Sequence, residues 1–284
     1  MRILVCVSEY PPYASGIGDV AQRMVQQFVE RGHSCTICSP TGPDIRLGNY
    51  GMIRRFGGLG VLLFWLSVSR YFRSNESQWD ATWLHGPLFL RECPFPQAVI
   101  TFHTTYKGYS IMARELRNSV LLKAYYGLMG LVERYCLRRI NSSRHRFTAV
   151  SRLVASELET QGIRSSAVSY ISVGTDVDRF CPVADRSPLR KELDIPEEAL
   201  VLLYVGRLTH QKNLFSLVDA FAQLKGRLEQ AMLLVAGSGE LSRLLDNHVR
   251  RKKANDVRLL GFVPNEELPQ IYACADFFVM SSKY

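Results

Sequence analysis

The stretch Ala199–Leu217, ALVLLYVGRLTHQKNLFSL, decides the fold. Leu200–Val205 is a continuous apolar run rich in Leu and Val, the composition of a strand buried on both faces. Gly206 breaks the run, Arg207 and Lys212 follow, and Leu214, Leu217, Val218, Phe221 and Leu224 then recur on one helical face. Asn213 stands where an N-cap is expected. The pattern is strand, short cationic loop, helix. Such a loop lies at the carboxyl end of a parallel strand, where open α/β sheets bind ligands. The free N–H groups of a helix N-terminus, together with Arg207 and Lys212, suit a phosphate. By itself the stretch reads equally well as a βα turn with two solvated cations.

The same pattern recurs on both sides. Downstream, the strand Met232–Val235 ends in Gly237-Ser238-Gly239-Glu240 and leads to a helix with Leu241, Leu244, Leu245 and Val249 on one face. Val257–Leu260 runs into Gly261-Phe262-Val263-Pro264, Glu266–Ala273 makes a short helix, and Asp276–Met280 is one more strand. Upstream, Ile3–Val7 is a strand, Gly16-Ile17-Gly18 opens a helix marked by Val20, Met24 and Phe28, Gly32 stops it, and Ser34–Cys38 is the next strand. This is a βαβ unit. GIGDVA (Gly16–Ala21) fits G-x-G-x-x-A, but Ser8–Ser15 separate it from the strand and Ser39-Pro40 offers no ribose-binding acid. A nicotinamide dinucleotide is therefore disfavoured. A backbone anion cradle and a plain entrance loop both remain open.

Trp79–Leu84 and Gln97–Phe102 read as buried strands ending at His85-Gly86 and His103-Thr104-Thr105, so two histidines at adjacent strand ends are expected to look into one cleft. Met52–Arg73 reads as one helix with an apolar centre, Val61–Leu66, between Arg54, Arg55, Arg70 and Arg73. It suits either a core-facing helix with cationic ends or a helix lying on an anionic membrane. Leu121–Ile140 is a long helix whose stripe of Leu121, Leu122, Tyr125, Leu128, Met129, Val132, Tyr135 and Cys136 reads as core. Phe147–Val150 and Val168–Val173 are further strands, with Ser151 capping the helix after the first. Asp176 and Asp178 read as turn residues rather than metal ligands, having no histidine or third acid beside them. Asp185–Glu198, polar with Pro188 and Pro196, divides the chain into residues 1–182, a linker 183–198, and residues 199–284.

The chain has 284 residues, and 35 Lys+Arg against 26 Asp+Glu leave a formal net charge of +9. That favours an anionic partner: a phosphorylated ligand, a membrane surface or nucleic acid. No basic-aromatic interleaving or zinc-finger spacing supports nucleic acid, and none is expected to bind. Cys35 and Cys38 fall on opposite faces of a strand, so they cannot grip one metal, and the seven cysteines form no disulfide framework. A reducing cytoplasm is the expected compartment. No segment reaches the roughly 18–20 apolar residues of a spanning helix.

Taken in order, EYPPYASGIGDVAQRMVQQFVERGH, TFHTTY, AVSRLVASELETQGI, VGRLTHQKN, LLVAGSGE and LLGFVPNEELPQIYACADFFVMSS resemble the segments of the family 4 glycosyltransferases. The resemblance implies an α/β, GT-B-like fold: two Rossmann-like parallel-sheet domains facing a cleft, the second incomplete here. It implies transfer of a sugar, with retention, from a nucleotide-diphosphate donor to a glycan, glycolipid or small acceptor. The first domain is then the acceptor side and the second the donor side. Arg207 and Lys212 would contact the diphosphate, Gly16 and Gly18 would line the cleft near it, and His103 would lie at the reacting sugar. Gly237, Phe262 and Val263 would surround the nucleotide. No cofactor or metal is implied beyond the nucleotide sugar as co-substrate. A cytoplasmic enzyme with peripheral contact to the inner membrane face fits this picture.

The family's acidic Glu-x7-Glu motif is expected directly after Ser281-Ser282-Lys283-Tyr284, where the chain stops, so weakened or absent turnover by this chain is the corresponding expectation. A silent or membrane-associated homologue is the alternative, and a nucleotide-sugar 2-epimerase, with Asp19 and Glu9 as weak acid/base candidates, ranks below it.

Overall fold

The computed structural model describes residues 1–13, 15–74, 79–115, 120–141 and 144–282. The chain forms two compact units, Met1–Val173 and Gly174–Tyr284.

In the first unit, β1 (Arg2–Cys6), α1 (Gly16–Glu30), β2 (Ser34–Ser39) and β3 (Ile45–Arg46) are followed by two helices, α2 (Tyr50–Phe56) and α3 (Gly58–Ser74). Next come β4 (Ala81–His85), β5 (Val99–Phe102), α4 (Tyr106–Glu115), α5 (Val120–Ile140), β6 (Arg146–Ala149), α6 (Arg152–Thr160) and β7 (Val168–Tyr170). The seven strands pair in parallel in the order β3-β2-β1-β4-β5-β6-β7. β1 lies centrally, and its alternating side chains feed two apolar layers. Leu4 and Cys6 join Phe64, Trp65, Leu84, Ile100 and Phe147 on one face; Ile3, Val5 and Val7 join Ala21, Val25 and Ile37 on the other. Cys38 belongs to the first layer and Cys35 packs against the second, as strand alternation requires.

Two helical expectations change. The single helix over Met52–Arg73 is broken at Gly57, whose φ of 53° suits glycine far better than a residue with a side chain. Arg54 and Arg55 therefore sit on α2, whereas α3 buries Phe64, Trp65, Val68 and Phe72 and so faces the core. The stripe on α5 is only partly core. Met129, Cys136, Leu137 and Ile140 are buried, while Leu121 (83% exposed), Leu128, Leu131 and Tyr135 form a solvent-facing apolar side. Periodicity marks the face of a helix but does not say which residues of a broad stripe find a partner.

The second unit contains α7 (Ser187–Glu192), β8 (Leu200–Val205), α8 (Leu214–Lys225), β9 (Ala231–Ala236), α9 (Ser242–Arg251), β10 (Val257–Gly261), α10 (Leu268–Cys274) and β11 (Phe277–Phe278). The strands pair in parallel in the order β10-β9-β8-β11. β9 buries every side chain, and β8 buries or half-buries each of its own, which explains their unbroken apolar composition. The stretch read from the sequence as a linker, 183–198, holds α7. Its Arg190 is 2% exposed and donates to the carbonyls of Cys274, Glu197 and Ala199 and to Asp276, at 2.8–3.2 Å. A polar, proline-bearing segment thus docks as part of the second unit because one guanidinium satisfies three carbonyls and a carboxylate.

Candidate functional site

The carboxyl ends of β8, β9 and β10 are stitched together by backbone alone. Gly206 N–H donates to Ala236 O (3.0 Å), Gly237 N–H to Gly261 O (2.6 Å), Leu208 N–H to Ser238 O (2.9 Å), and Leu241 N–H to Leu208 O (3.0 Å). Only glycine permits this approach. A Cβ on Gly237, whose φ is 141°, would lie 1.9 Å from Gly206 O, and one on Gly239 would lie 2.4 Å from Leu208 O. The buried Tyr204 hydroxyl donates to Arg207 O (3.1 Å) and closes the turn from below. Burial pushes that phenol up to about 12.

This floor presents two cations. Among the described residues, no carboxylate lies within ion-pair distance of Arg207 or Lys212. Partial burial, and then the charge of Arg207, lower the Lys212 pKa from its ordinary value. Two like charges held close without a counter-charge form a local excess suited to an anion. Asn213 occupies the N-cap position of α8 with a left-handed backbone (φ 53°), and its side chain makes no capping bond. Its Oδ1 instead accepts from Ser216 Oγ at 2.9 Å. The N-cap expected from the sequence is therefore replaced by uncapped N–H groups beside the two cations. Ser281 Oγ donates to Lys212 O at 2.7 Å and holds the loop from the β11 side.

Beyond β10, Phe262 stands 73% exposed, while Val263 is half-buried against the apolar layer under β9. Asp176 makes the expected turn, its Oδ1 accepting from Arg179 N at 3.1 Å. Lys283 and Tyr284, beside which the acidic motif is expected, lie outside the described residues.

In the first unit, Gly16 is exposed, and a Cβ added to it would meet no heavy atom within 4 Å, whereas a Cβ on Gly18 would lie 2.8 Å from Glu9 O. The two glycines thus differ: Gly18 is demanded by packing and Gly16 is open. Ser15 caps α1, accepting from Gly18 N at 3.4 Å. His85 and His103 do come together at adjacent strand ends, Nδ1 of His85 lying 3.0 Å from Nε2 of His103 with the rings nearly parallel. They do not both look outward, since His85 is buried and only His103 is partly accessible. Burial lowers the His103 pKa to about 4; burial and then His103 hold His85 well below the ordinary imidazole value. Both rings are neutral near pH 7.

One supporting group escaped the sequence reading. Glu133, buried on α5, accepts from Tyr106 N (3.0 Å), Lys107 N (3.3 Å) and Gln161 Nε2 (3.2 Å). It thereby caps α4, which starts three residues after His103. Thr105 Oγ1 donates to Glu157 at 2.5 Å and accepts from Gly108 N at 2.9 Å. Nothing in the helical pattern around Glu133 distinguishes it from a solvated acid. Among the described residues, no group of three or more His, Cys, Asp or Glu assembles as a metal site.

Comparison with known proteins gives the arrangement a class. Residues 185–284 match the model described as glycosyl transferases group 1, and the two parallel sheets share the GT-B fold of solved glycosyltransferases. Residues 14–179, more than half the chain, match the model described as Glycosyltransferase Family 4, and the chain belongs to that family. It is 34% identical over 138 residues to the mannosylfructose-phosphate synthase of Agrobacterium fabrum, covering 45% of this chain and 30% of that protein. It is 26% identical over 294 residues to a GDP-mannose-dependent alpha-(1-6)-phosphatidylinositol monomannoside mannosyltransferase of Mycobacterium tuberculosis, covering 98% of this chain and 72% of that protein. The crystal structure of WaaG, a glycosyltransferase involved in lipopolysaccharide biosynthesis, aligns with a TM-score of 0.73 at 14% identity, over 99% of this chain and 75% of that one.

Proposed function

We propose that the chain binds a nucleotide-diphosphate sugar through its second unit and transfers the sugar, with retention, to a glycan or lipid-linked acceptor. The observation that carries this reading is the glycine-built floor at the ends of β8–β10 with Arg207 and Lys212 uncompensated above it. In the reaction, the bond from the anomeric carbon to the diphosphate breaks and an acceptor oxygen replaces it. The departing diphosphate gains negative charge, and cations held in the loop without a carboxylate partner among the described residues stabilise it more than they stabilise the bound donor. Gly237, Phe262 and Val263 are assigned to the nucleotide, Gly16 and Gly18 to the neighbourhood of the diphosphate, and His103 to the reacting sugar. The two cations supply the neutralisation that a metal gives other transferases, so transfer is proposed to run without metal or added cofactor.

A lipid-linked acceptor is favoured over a soluble one by a specific feature. The exposed apolar side of α5 (Leu121, Leu128, Leu131, Tyr135) is bordered by Arg134, Arg138 and Arg139, and its one acid, Glu133, points inward. This suits peripheral contact with an anionic bilayer. No helix among the described residues is long and apolar enough to cross a membrane.

Isothermal titration of the chain with UDP-, GDP- and ADP-sugars tests donor binding. One of these should bind to the wild type and lose at least tenfold in affinity in Arg207→Ala. Equal binding by that variant would overturn the assignment. Transfer in EDTA should match transfer without it, and NMR of the product should show the donor's anomeric configuration. Flotation with anionic vesicles should be lost on Leu128→Ser/Leu131→Ser; unchanged flotation removes the membrane contact.

A further inference from the structure

We propose that His85 is a positioning residue that fixes the tautomer of His103, so that His103 offers an Nδ1–H donor rather than a basic nitrogen. The proposal rests on the assignment of His103 to the reacting sugar, but the geometry behind it does not. A single N–H joins Nδ1 of His85 and Nε2 of His103 across 3.0 Å, and one of the two rings must supply it. If His103 supplied it, His85 would carry its own proton on Nε2. That nitrogen is fully buried and has no hydrogen-bond partner among the described residues. A buried N–H left without an acceptor is among the rarest features of folded chains, and a bare lone pair is tolerated better. The proton therefore belongs to Nδ1 of His85, Nε2 of His103 accepts it, and His103 keeps its own proton on Nδ1.

The surroundings hold this choice in place. His85 ends β4 in register with Thr101 of β5, and its ring lies against Trp83, whose Nε1 donates to Thr101 Oγ1 at 2.7 Å. That hydroxyl is in turn 2.6 Å from Thr148 Oγ1 on β6. A flip of the His85 ring would exchange Nδ1 for a carbon and forfeit the contact to His103. Among the described residues, His103 Nδ1 has no protein partner, so its N–H is the one polar hydrogen of the pair left to meet a hydroxyl or other acceptor. A neutral imidazole in water favours the Nε2–H form; here the neighbour imposes the other.

The test is the histidine tautomer itself, read on the full chain labelled with nitrogen-15 histidine. Long-range proton–nitrogen spectra at pH 7.5 assign His103 by its loss in His103→Gln. The expected wild-type pattern is Nδ1–H for His103 with no titration between pH 5.5 and 8. His85→Phe should return His103 to the Nε2–H pattern, and His85→Gln, whose amide can still donate, should keep Nδ1–H. An Nε2–H His103 in the wild type overturns the proposal whether or not any variant folds. So does an Nδ1–H pattern that persists in a folded His85→Phe protein. Because the readout needs no sugar donor, failure of the transferase reading would leave this result standing. Where transfer is measurable, His85→Phe should lower kcat by at least tenfold with nucleotide-diphosphate affinity unchanged.

Discussion

Replacing Gly237 by alanine adds one carbon at the point where the ends of β8, β9 and β10 converge. The new Cβ would lie 1.9 Å from the carbonyl oxygen of Gly206, a backbone atom that cannot swing aside as a flexible side chain could. Alanine is also strained at the φ of 141° found there. The backbone strain costs about 1–3 kcal/mol. Relieving the overlap by separating the strand ends costs about 1–3 kcal/mol more, for a total of about 2–6 kcal/mol. The separation would also pull Gly237 N–H from Gly261 O and disturb Leu208, so the loop carrying Arg207 would shift with it. Urea unfolding of the full chain, followed by circular dichroism, reads the loss as a lower midpoint. Titration with the best-binding nucleotide sugar reads the loop shift as weaker affinity. Gly16→Ala is the matched control: it has the same chemistry, but no atom within 4 Å and no positive φ. It should leave stability within about 0.5 kcal/mol or raise it slightly through helix propensity. A Gly237→Ala protein within about 0.5 kcal/mol of wild type would refute the packing argument.

Three other variants probe the cationic loop, α7 and the buried acid. Lys212→Ala should weaken nucleotide-sugar binding by about tenfold or more, the worth of a charge-assisted hydrogen bond, while leaving the unfolding midpoint unchanged or raised, because removing one of two unpaired like charges relieves repulsion. Arg190→Ala should destabilise the chain by about 3–5 kcal/mol, since it strands three carbonyls and weakens the hold on Asp276; a midpoint shift worth under about 1 kcal/mol in urea titration would contradict the role given to α7. Glu133 supplies a pH signature: burial raises its carboxyl to about 7, against lowering by the N–H groups of Tyr106, Gln161 and Lys107. Between the ordinary value of 4.5 and about 7 the folded chain then binds more protons at this site than the unfolded one, so the stability it contributes is full below pH 4.5 and is lost as pH rises through about 7. Glu133→Gln should flatten that part of the stability–pH curve, and an unchanged slope would show that Glu133 does not titrate there.

The sequence alone located most of the strands, although it missed β3 (Ile45–Arg46) and carried β7 and β11 past their ends at Tyr170 and Phe278. Leu200–Val205 reads as a doubly buried strand because a short Leu/Val-rich apolar run stopped by Gly206 suits a parallel strand covered on both faces, and the structure gives β8 those bounds. Gly206, Gly237 and Gly239 stand just after their strands in the sequence, which marks the turn positions where the cationic loop and its floor meet. What the linear pattern could not say is which neighbours those residues acquire. The 1.9 Å reason for Gly237, the pairing of His85 with His103, and the burial of Glu133 all depend on residues distant in the chain being brought side by side. The same limit explains the difference at α5. Periodicity along α5 locates a stripe, but only packing against α4 and the sheet decides that Met129 is covered and Leu128 is not. Local pattern follows from covalent geometry and side-chain character; partnership follows from tertiary contact, and the chemistry assigned to His103 rests on its partner, that of Arg207 and Lys212 on the lack of a carboxylate partner among the described residues.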